Sequence, residues 1–146
     1  MTQARMATVL LVEDNPADAE LTRISLRDSK IRVDLHHVLD GEEAMAFLRH
    51  EPPFDAALHP DLVLLDLNLP RMDGWQVLCE IRKDPRLAHL PVVVLTTSRA
   101  DEDVLGAYRS HANCFITKPV DVDAFMKIVR SLEEFWFTVV TLPTRA

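Results

Sequence analysis

The sequence has little of what several protein classes require. Its two cysteines, Cys79 and Cys114, form no close motif, which indicates reduced thiols in a cytoplasmic protein. We expect both to be buried as small hydrophobic residues. Basic residues number 16 against 23 acidic ones, for a net charge of -7, and this balance argues against a nucleic-acid surface. No apolar run approaches the ~20 residues of a membrane span, and Glu13 interrupts the N-terminal apolar run, which excludes a signal peptide. We therefore expect no nucleic-acid partner and no membrane.

The remaining composition is that of an ordinary globular domain. Of the 146 residues, 48% are hydrophobic and 27% are charged. This length suits one domain with a real core. We expect a single domain over residues 1–146, in which residues 133–146 extend the last helix as an apolar tail.

Apolar runs bounded by turn signals alternate between strand and helix spacing. The expected strands are residues 8–12, 31–37, 62–65, 92–95 and 113–116. The expected helices begin at Asn15-Pro16, span 41–49, 74–83 and 102–109, and begin again at residue 121. In the first helix, Ala17, Leu21 and Ile24 form the expected buried stripe.

Five such units predict an α/β fold, with a parallel sheet covered by helices on both faces. Two doubly wound strand orders are common. The flavodoxin-like order 2-1-3-4-5 makes the first and third strands neighbours. We adopt it because it unites acidic residues that follow these two strands, although the sequence alone does not establish it.

Those acidic residues are Glu13 and Asp14 after the first strand and Asp66 after the third. Adjacent strands lie only ~4.8 Å apart, so Asp14 and Asp66 could share one ion. Three carboxylates gathered at one place repel each other, and a divalent cation would relieve that repulsion. The pattern therefore predicts a cation site at the carboxyl edge of the sheet.

Two further polar positions follow strands at the same edge, Thr96 after the fourth and Lys118-Pro119 after the fifth. With them the chain resembles the receiver domain of two-component response regulators. The matching segments are VLLVEDNPADAEL, PDLVLLDLNLPRMDG, PVVVLTTS and CFITKP. The resemblance implies a signalling protein, not an enzyme, in which Asp66 accepts a phosphoryl group from a sensor histidine kinase.

The resemblance also implies a role for each residue around the acceptor. The cofactor, Mg²⁺ or Mn²⁺, would be held by Glu13, Asp14, Asp66 and the backbone carbonyl of Asn68. Lys118 would contact a phosphoryl oxygen as a point charge. The Thr96 hydroxyl would bind another oxygen, and Phe115 would change rotamer with it as a two-state switch. Asn68 and Ser98 occupy positions that tune dephosphorylation, and both are small enough to admit a water.

The chain also resembles the single-domain regulators paired with bacterial phytochromes. The features that carry this narrower resemblance are the segment VEDNPADAEL, the long loop 50–60, the TTS triplet and the apolar tail. That narrower resemblance implies a phytochrome histidine kinase as the phosphodonor. The tail also predicts a homodimer, because three consecutive aromatic residues cannot all face one core stripe. The expected interface residues are Phe135, Trp136, Phe137, Val139 and Val140.

Two other functions remain open from the sequence. One is a Mg²⁺-dependent phosphohydrolase with Asp66 as its nucleophile, although Asn68 stands where such enzymes carry a general acid. The other is a receiver-like scaffold that does not turn over phosphate, against which the intact acidic set and Lys118 argue.

Overall fold

Strands and helices alternate along the chain as the sequence predicts. The computed structural model describes residues 6–27, 32–67, 69–96 and 114–117, together with Asp123 and Lys127. The strands are β1 (Met6–Val12), β2 (Arg32–Val38), β3 (Leu62–Asp66), β4 (Val92–Thr96) and β5 (Cys114–Thr117). The helices with described bounds are α1 (Pro16–Arg27), α2 (Gly41–Leu48) and α3 (Gly74–Lys83). The expected helix 102–109 lies outside the described residues, as does the last helix apart from those two positions.

The five strands form one parallel sheet in the order β2-β1-β3-β4-β5. The predicted fold class and strand order are therefore confirmed. In the register of the sheet, Val12 pairs with Leu65, and Asp66 pairs with Leu95. Glu13 follows Val12 directly, so it comes level with Asp66 on the neighbouring strand.

The core lies on both faces of this sheet, because successive side chains of a strand point to opposite sides. Leu10, Val12, Val63 and Leu65 pack on one face with α2 and α3. Val9, Leu11, Leu62 and Leu64 pack on the other face with α1. Burial on both faces explains why β1 and β3 read as continuous apolar runs rather than as alternating ones.

Helix α1 buries a different stripe from the predicted one. Its buried residues are Ala19, Thr22 and Leu26, whereas Leu21 and Ile24 are 50% and 45% exposed and Ala17 is also exposed. The two stripes begin two residues apart, which is about 200° around a helix. The prediction was wrong because α1 carries apolar residues on both sides.

The helix ends match their sequence signals. The amide of Asp18 donates to Asn15 Oδ1 at 3.0 Å, so Asn15 caps the start of α1. Asp73 and Gln76 form a capping box at the start of α3, and Asp84 ends that helix. On α3, Cys79 is exposed, which corrects the expectation that it is a buried small hydrophobic residue.

Ion pairs join α2 and α3 where the two helices end, at their C-caps Arg49 and Asp84. Arg49 contacts Glu80 at 3.3 Å and Asp84 at 3.5 Å, and Asp84 also contacts Arg86 at 3.1 Å. Phe54, in the loop after α2, packs against Phe47 with ring centroids 5.4 Å apart. Among the described helices, none has the length and apolar character needed to cross a membrane.

Candidate functional site at the carboxyl edge of the sheet

The three predicted acidic residues meet at the carboxyl ends of β1 and β3. One carboxylate oxygen from each of Glu13, Asp14 and Asp66 lies within 4.8 Å of the others. Glu13 is 0% exposed and Asp66 is 4% exposed, whereas Asp14 is exposed. Two residues of the cluster are therefore buried, and the third reaches solvent.

The donor set of this cluster suits a hard divalent cation. Mg²⁺ and Mn²⁺ prefer oxygen ligands, and Mg²⁺ is usually held by one or two carboxylates while it keeps several waters. Gathering three carboxylates in low-dielectric surroundings without a counter-charge is unfavourable. The chemistry of the residues therefore fits the predicted cation.

The backbone after Asp66 is held close to the start of α3. The amide of Leu67 donates to Leu95 O at 3.4 Å, and that of Gly74 donates to Leu67 O at 3.1 Å. A Cβ at Gly74 would lie 2.4 Å from the carbonyl oxygen of Asp66 and 2.6 Å from Leu67 Cα. Only glycine lets the start of α3 approach Asp66 this closely.

The same loop also contacts the start of α2. Arg71 has a left-handed φ of 63°, and its Nη1 donates to Asp40 Oδ2 at 3.4 Å. A Cβ at Gly41 would lie 2.1 Å from the carbonyl oxygen of Met72. Leu67 thus contacts the start of α3 and Met72 the start of α2, and each contact depends on a glycine.

The end of β2 contacts the acidic residues through a side chain that the sequence did not single out. His37 Nε2 lies 2.7 Å from the carbonyl oxygen of Glu13. Its neighbour His36 makes different contacts, with Asp34 Oδ2 at 2.9 Å and with the ring of Phe47. A polar residue near the end of the strand beside β1 is the signal that could have indicated His37.

The other predicted site residues are described only in part. Thr96 in β4 pairs with Thr117, and Phe115 in β5 pairs with Val94. Several predicted residues lie outside the described part of the chain, namely Asn68, Ser98, Lys118, Phe135, Trp136, Phe137, Val139 and Val140. Of the predicted site, the structure brings together Glu13, Asp14 and Asp66.

Comparison of the chain with known protein families agrees with the order of these elements and with the acidic cluster. The family model of the response regulator receiver domain matches residues 9–130. This chain belongs to the response regulator receiver family. The resemblance read from the motifs is confirmed, and receivers of this type are signalling proteins.

Individual receivers resemble the chain over nearly its whole length. Response regulator Rcp1 of Synechocystis sp. is 45% identical over 135 residues, which are 92% of this chain and 92% of Rcp1. The crystal structure of the phosphorylated cyanobacterial phytochrome response regulator RcpA matches with a TM-score of 0.77 and 46% identity, over 96% of this chain and 100% of RcpA. The Mn²⁺-bound form of Rcp1 matches with a TM-score of 0.74 and 44% identity, over 94% of this chain and 99% of that one.

Proposed function

We propose that this chain is a phosphoacceptor that takes a phosphoryl group on Asp66 from a sensor histidine kinase and signals by protein contact. The observation that supports this most directly is the position of Asp66. It ends β3, and its oxygen lies within 4.8 Å of an oxygen of Glu13 and one of Asp14. The transfer would need Mg²⁺, or Mn²⁺ as in the solved form of Rcp1.

The proposed transfer is an exchange of one bond to phosphorus for another. A carboxylate oxygen of Asp66 forms the new bond, the bond to the imidazole nitrogen of the donor breaks, and its electron pair leaves with the imidazole. A divalent cation bound by the acidic residues would offset the negative charge that gathers when a phosphoryl group approaches a carboxylate. Glu13 and Asp14 would bind that cation beside Asp66, with the backbone carbonyl of Asn68 as a fourth ligand.

The remaining roles in the proposal follow from the family resemblance. Lys118 would bind a phosphoryl oxygen, and Thr96 with Phe115 would carry the change of state to the surface. The backbone places of Thr96 and Phe115 in β4 and β5 support these roles. Asn68 and Ser98 would set how readily water reaches the acyl phosphate.

The alternative of a phosphohydrolase lacks a proton donor at a key position. Position 68 is asparagine, and an amide does not act as a general acid toward a leaving group. Without such an acid, Asp66 would accept one phosphoryl group and release it slowly. A scaffold without phosphate turnover would have no need of three neighbouring carboxylates.

For the partner, we propose a phytochrome histidine kinase as the phosphodonor. Its support is the similarity to RcpA, a phytochrome response regulator. Profiling phosphotransfer from each histidine kinase of the host tests this part. If a kinase of another class transfers faster than every phytochrome kinase, the pairing is wrong and the phosphoacceptor function still stands.

We also propose that residues 1–146 form one domain and that the tail 133–146 joins two copies in a homodimer. The support is the segment from Phe135 to Val140, which is apolar apart from Thr138. Sedimentation of wild type and a Phe135→Ala, Phe137→Ala double variant tests the dimer. A wild type that stays monomeric at high micromolar concentration, with and without a phosphoryl mimic, contradicts it.

The central experiment is phosphorylation by a small acyl-phosphate donor, followed by intact mass spectrometry. Wild type should gain one phosphoryl group per chain in Mg²⁺ and none in EDTA. Asp66→Asn should gain none, and Asp55→Asn, which changes an exposed carboxylate in the loop 50–60, should behave like wild type. Many turnovers per chain would indicate an enzyme, and no labelling of wild type would indicate a scaffold.

A further inference from the structure

His37 contacts the peptide group that joins two residues of the acidic cluster. It is the next-to-last residue of β2, is half-buried, and its Nε2 lies 2.7 Å from the carbonyl oxygen of Glu13. A carbonyl oxygen only accepts hydrogen bonds. Nε2 therefore carries a proton and donates it to the peptide between Glu13 and Asp14.

The hydrogen bonds of Glu13 include two besides that of His37. Its amide donates to Val38 O at 3.1 Å, and its Oε2 accepts from the amide of Asn15 at 3.3 Å. The end of β2 thus binds the backbone of Glu13 on both sides, through the Val38 carbonyl and the His37 ring. Rotation of the Glu13–Asp14 peptide would change the direction in which the Asp14 side chain leaves the backbone.

We infer that His37 is a positioning residue that fixes the Glu13–Asp14 peptide and thereby raises the affinity of the acidic cluster for a divalent cation. This inference rests on the proposed function, because it takes the cluster as the cation site. His37 acts through Glu13 and contacts neither the cation nor the phosphoryl group. Without its donor, the buried carbonyl loses a partner and the peptide gains freedom to rotate.

Three substitutions separate the hydrogen bond from the space that the ring fills. His37→Phe keeps a ring and removes the donor. His37→Gln keeps an N–H donor at nearly the distance of Nε2 from the backbone, whereas the amide of His37→Asn is too short to reach. His36→Phe is the matched control, since His36 lies on the same strand and contacts Asp34 and Phe47 instead.

The measurement is calorimetric titration of each full-length protein with Mn²⁺ at one pH, beside thermal unfolding in EDTA. We expect His37→Phe and His37→Asn to lose about threefold to tenfold in Mn²⁺ affinity, the effect of one hydrogen bond. His37→Gln and His36→Phe should stay within about twofold of wild type. In phosphorylation assays, His37→Phe should be slow at limiting Mg²⁺ and recover at saturating Mg²⁺.

A purely structural role for His37 gives a different result. His37→Phe would then unfold at a lower temperature in EDTA but bind Mn²⁺ as wild type does, and this outcome overturns the inference while the proposed function stands. Should His37→Phe not fold, an unchanged affinity of His37→Asn overturns it equally. A wild type that binds no Mn²⁺ and accepts no phosphoryl group would instead contradict the proposed function itself.

Discussion

Replacing Asp66 with asparagine should stabilise the cation-free protein. Asp66 is 4% exposed, and its carboxylate oxygen lies within 4.8 Å of an oxygen of Glu13 and of one of Asp14. Asparagine keeps the shape of the side chain and removes its charge. The substitution that abolishes the proposed phosphorylation should therefore raise the free energy of unfolding in EDTA.

The size of the effect follows from the separation of the charges. At an effective dielectric constant of about 20, two full charges about 5 Å apart repel by roughly 3 kcal/mol. Solvent screens the contribution of the exposed Asp14, and hydrogen bonds to carboxylates offset part of the rest, so we expect a net gain of about 2 kcal/mol. For a domain of this size, that gain corresponds to an increase in Tm of roughly 4–8 °C.

Mg²⁺ should remove this advantage, since it binds the native wild type more tightly than the variant. A cation present at about one hundred times its Kd stabilises a folded protein by about 2.7 kcal/mol. Wild type at such a concentration should therefore match or exceed Asp66→Asn. The stability order of the two proteins should depend on whether the cation is present.

Urea unfolding of both proteins, in EDTA and in saturating Mg²⁺, measures these differences. Asp55→Asn is the matched control because Asp55 is exposed in the loop 50–60, and it should change stability by less than about 0.5 kcal/mol in either buffer. The reasoning is refuted if Asp66→Asn is no more stable than wild type in EDTA. It is also refuted if Mg²⁺ stabilises both proteins equally.

Two further predictions concern residues around and away from the site. Gly74→Ala should lose about 1–3 kcal/mol of stability through overpacking, although alanine is the better helix former. The reason is that its Cβ would lie 2.4 Å from the Asp66 carbonyl oxygen. Urea unfolding measures the loss, and a variant as stable as wild type would contradict the contact. Hydrogen bonds from Arg86 lower the pKa of Asp84 from 3.8 to about 2 in the folded protein. The ionised carboxylate therefore stabilises the folded state at pH values above its pKa in the unfolded chain. This stabilisation is lost as the pH falls toward the pKa of the folded state. Asp84→Asn should therefore be less stable than wild type at neutral pH, with a difference that shrinks as the pH falls from 3.8 to about 2; a constant difference in unfolding midpoints would show that Asp84 does not contribute in this way.

The strands could be predicted because burial on both faces requires continuous apolar runs in the sequence. Val9 to Val12 and Leu62 to Leu65 are unbroken apolar runs, and each of these residues is at most 4% exposed. The parallel direction of the strands then follows from the alternation of strands with helices. The acids could be found for a related reason, since a charged residue directly after a buried strand stands out from its neighbours.

The face that α1 buries could not be predicted in the same way. Ala17, Leu21 and Ile24 have helical spacing, and so do the buried residues Ala19, Thr22 and Leu26. Periodicity identifies a stripe but does not choose between two stripes on one helix. The choice is made by the direction in which the chain leaves β1 and returns to β2, which depends on the assembled sheet.

Contacts to backbone atoms are the least visible part of the site in the sequence. His37 donates to a carbonyl, and Gly41 and Gly74 make room for backbone atoms of the loop after Asp66. A carbonyl is present at every residue, so such a contact places no requirement on the identity of its partner. The carboxylates, in contrast, are needed for their own chemistry, and this makes them recognisable by residue type. Residues that hold a functional loop by its backbone therefore have to be found from the structure, as His37 was.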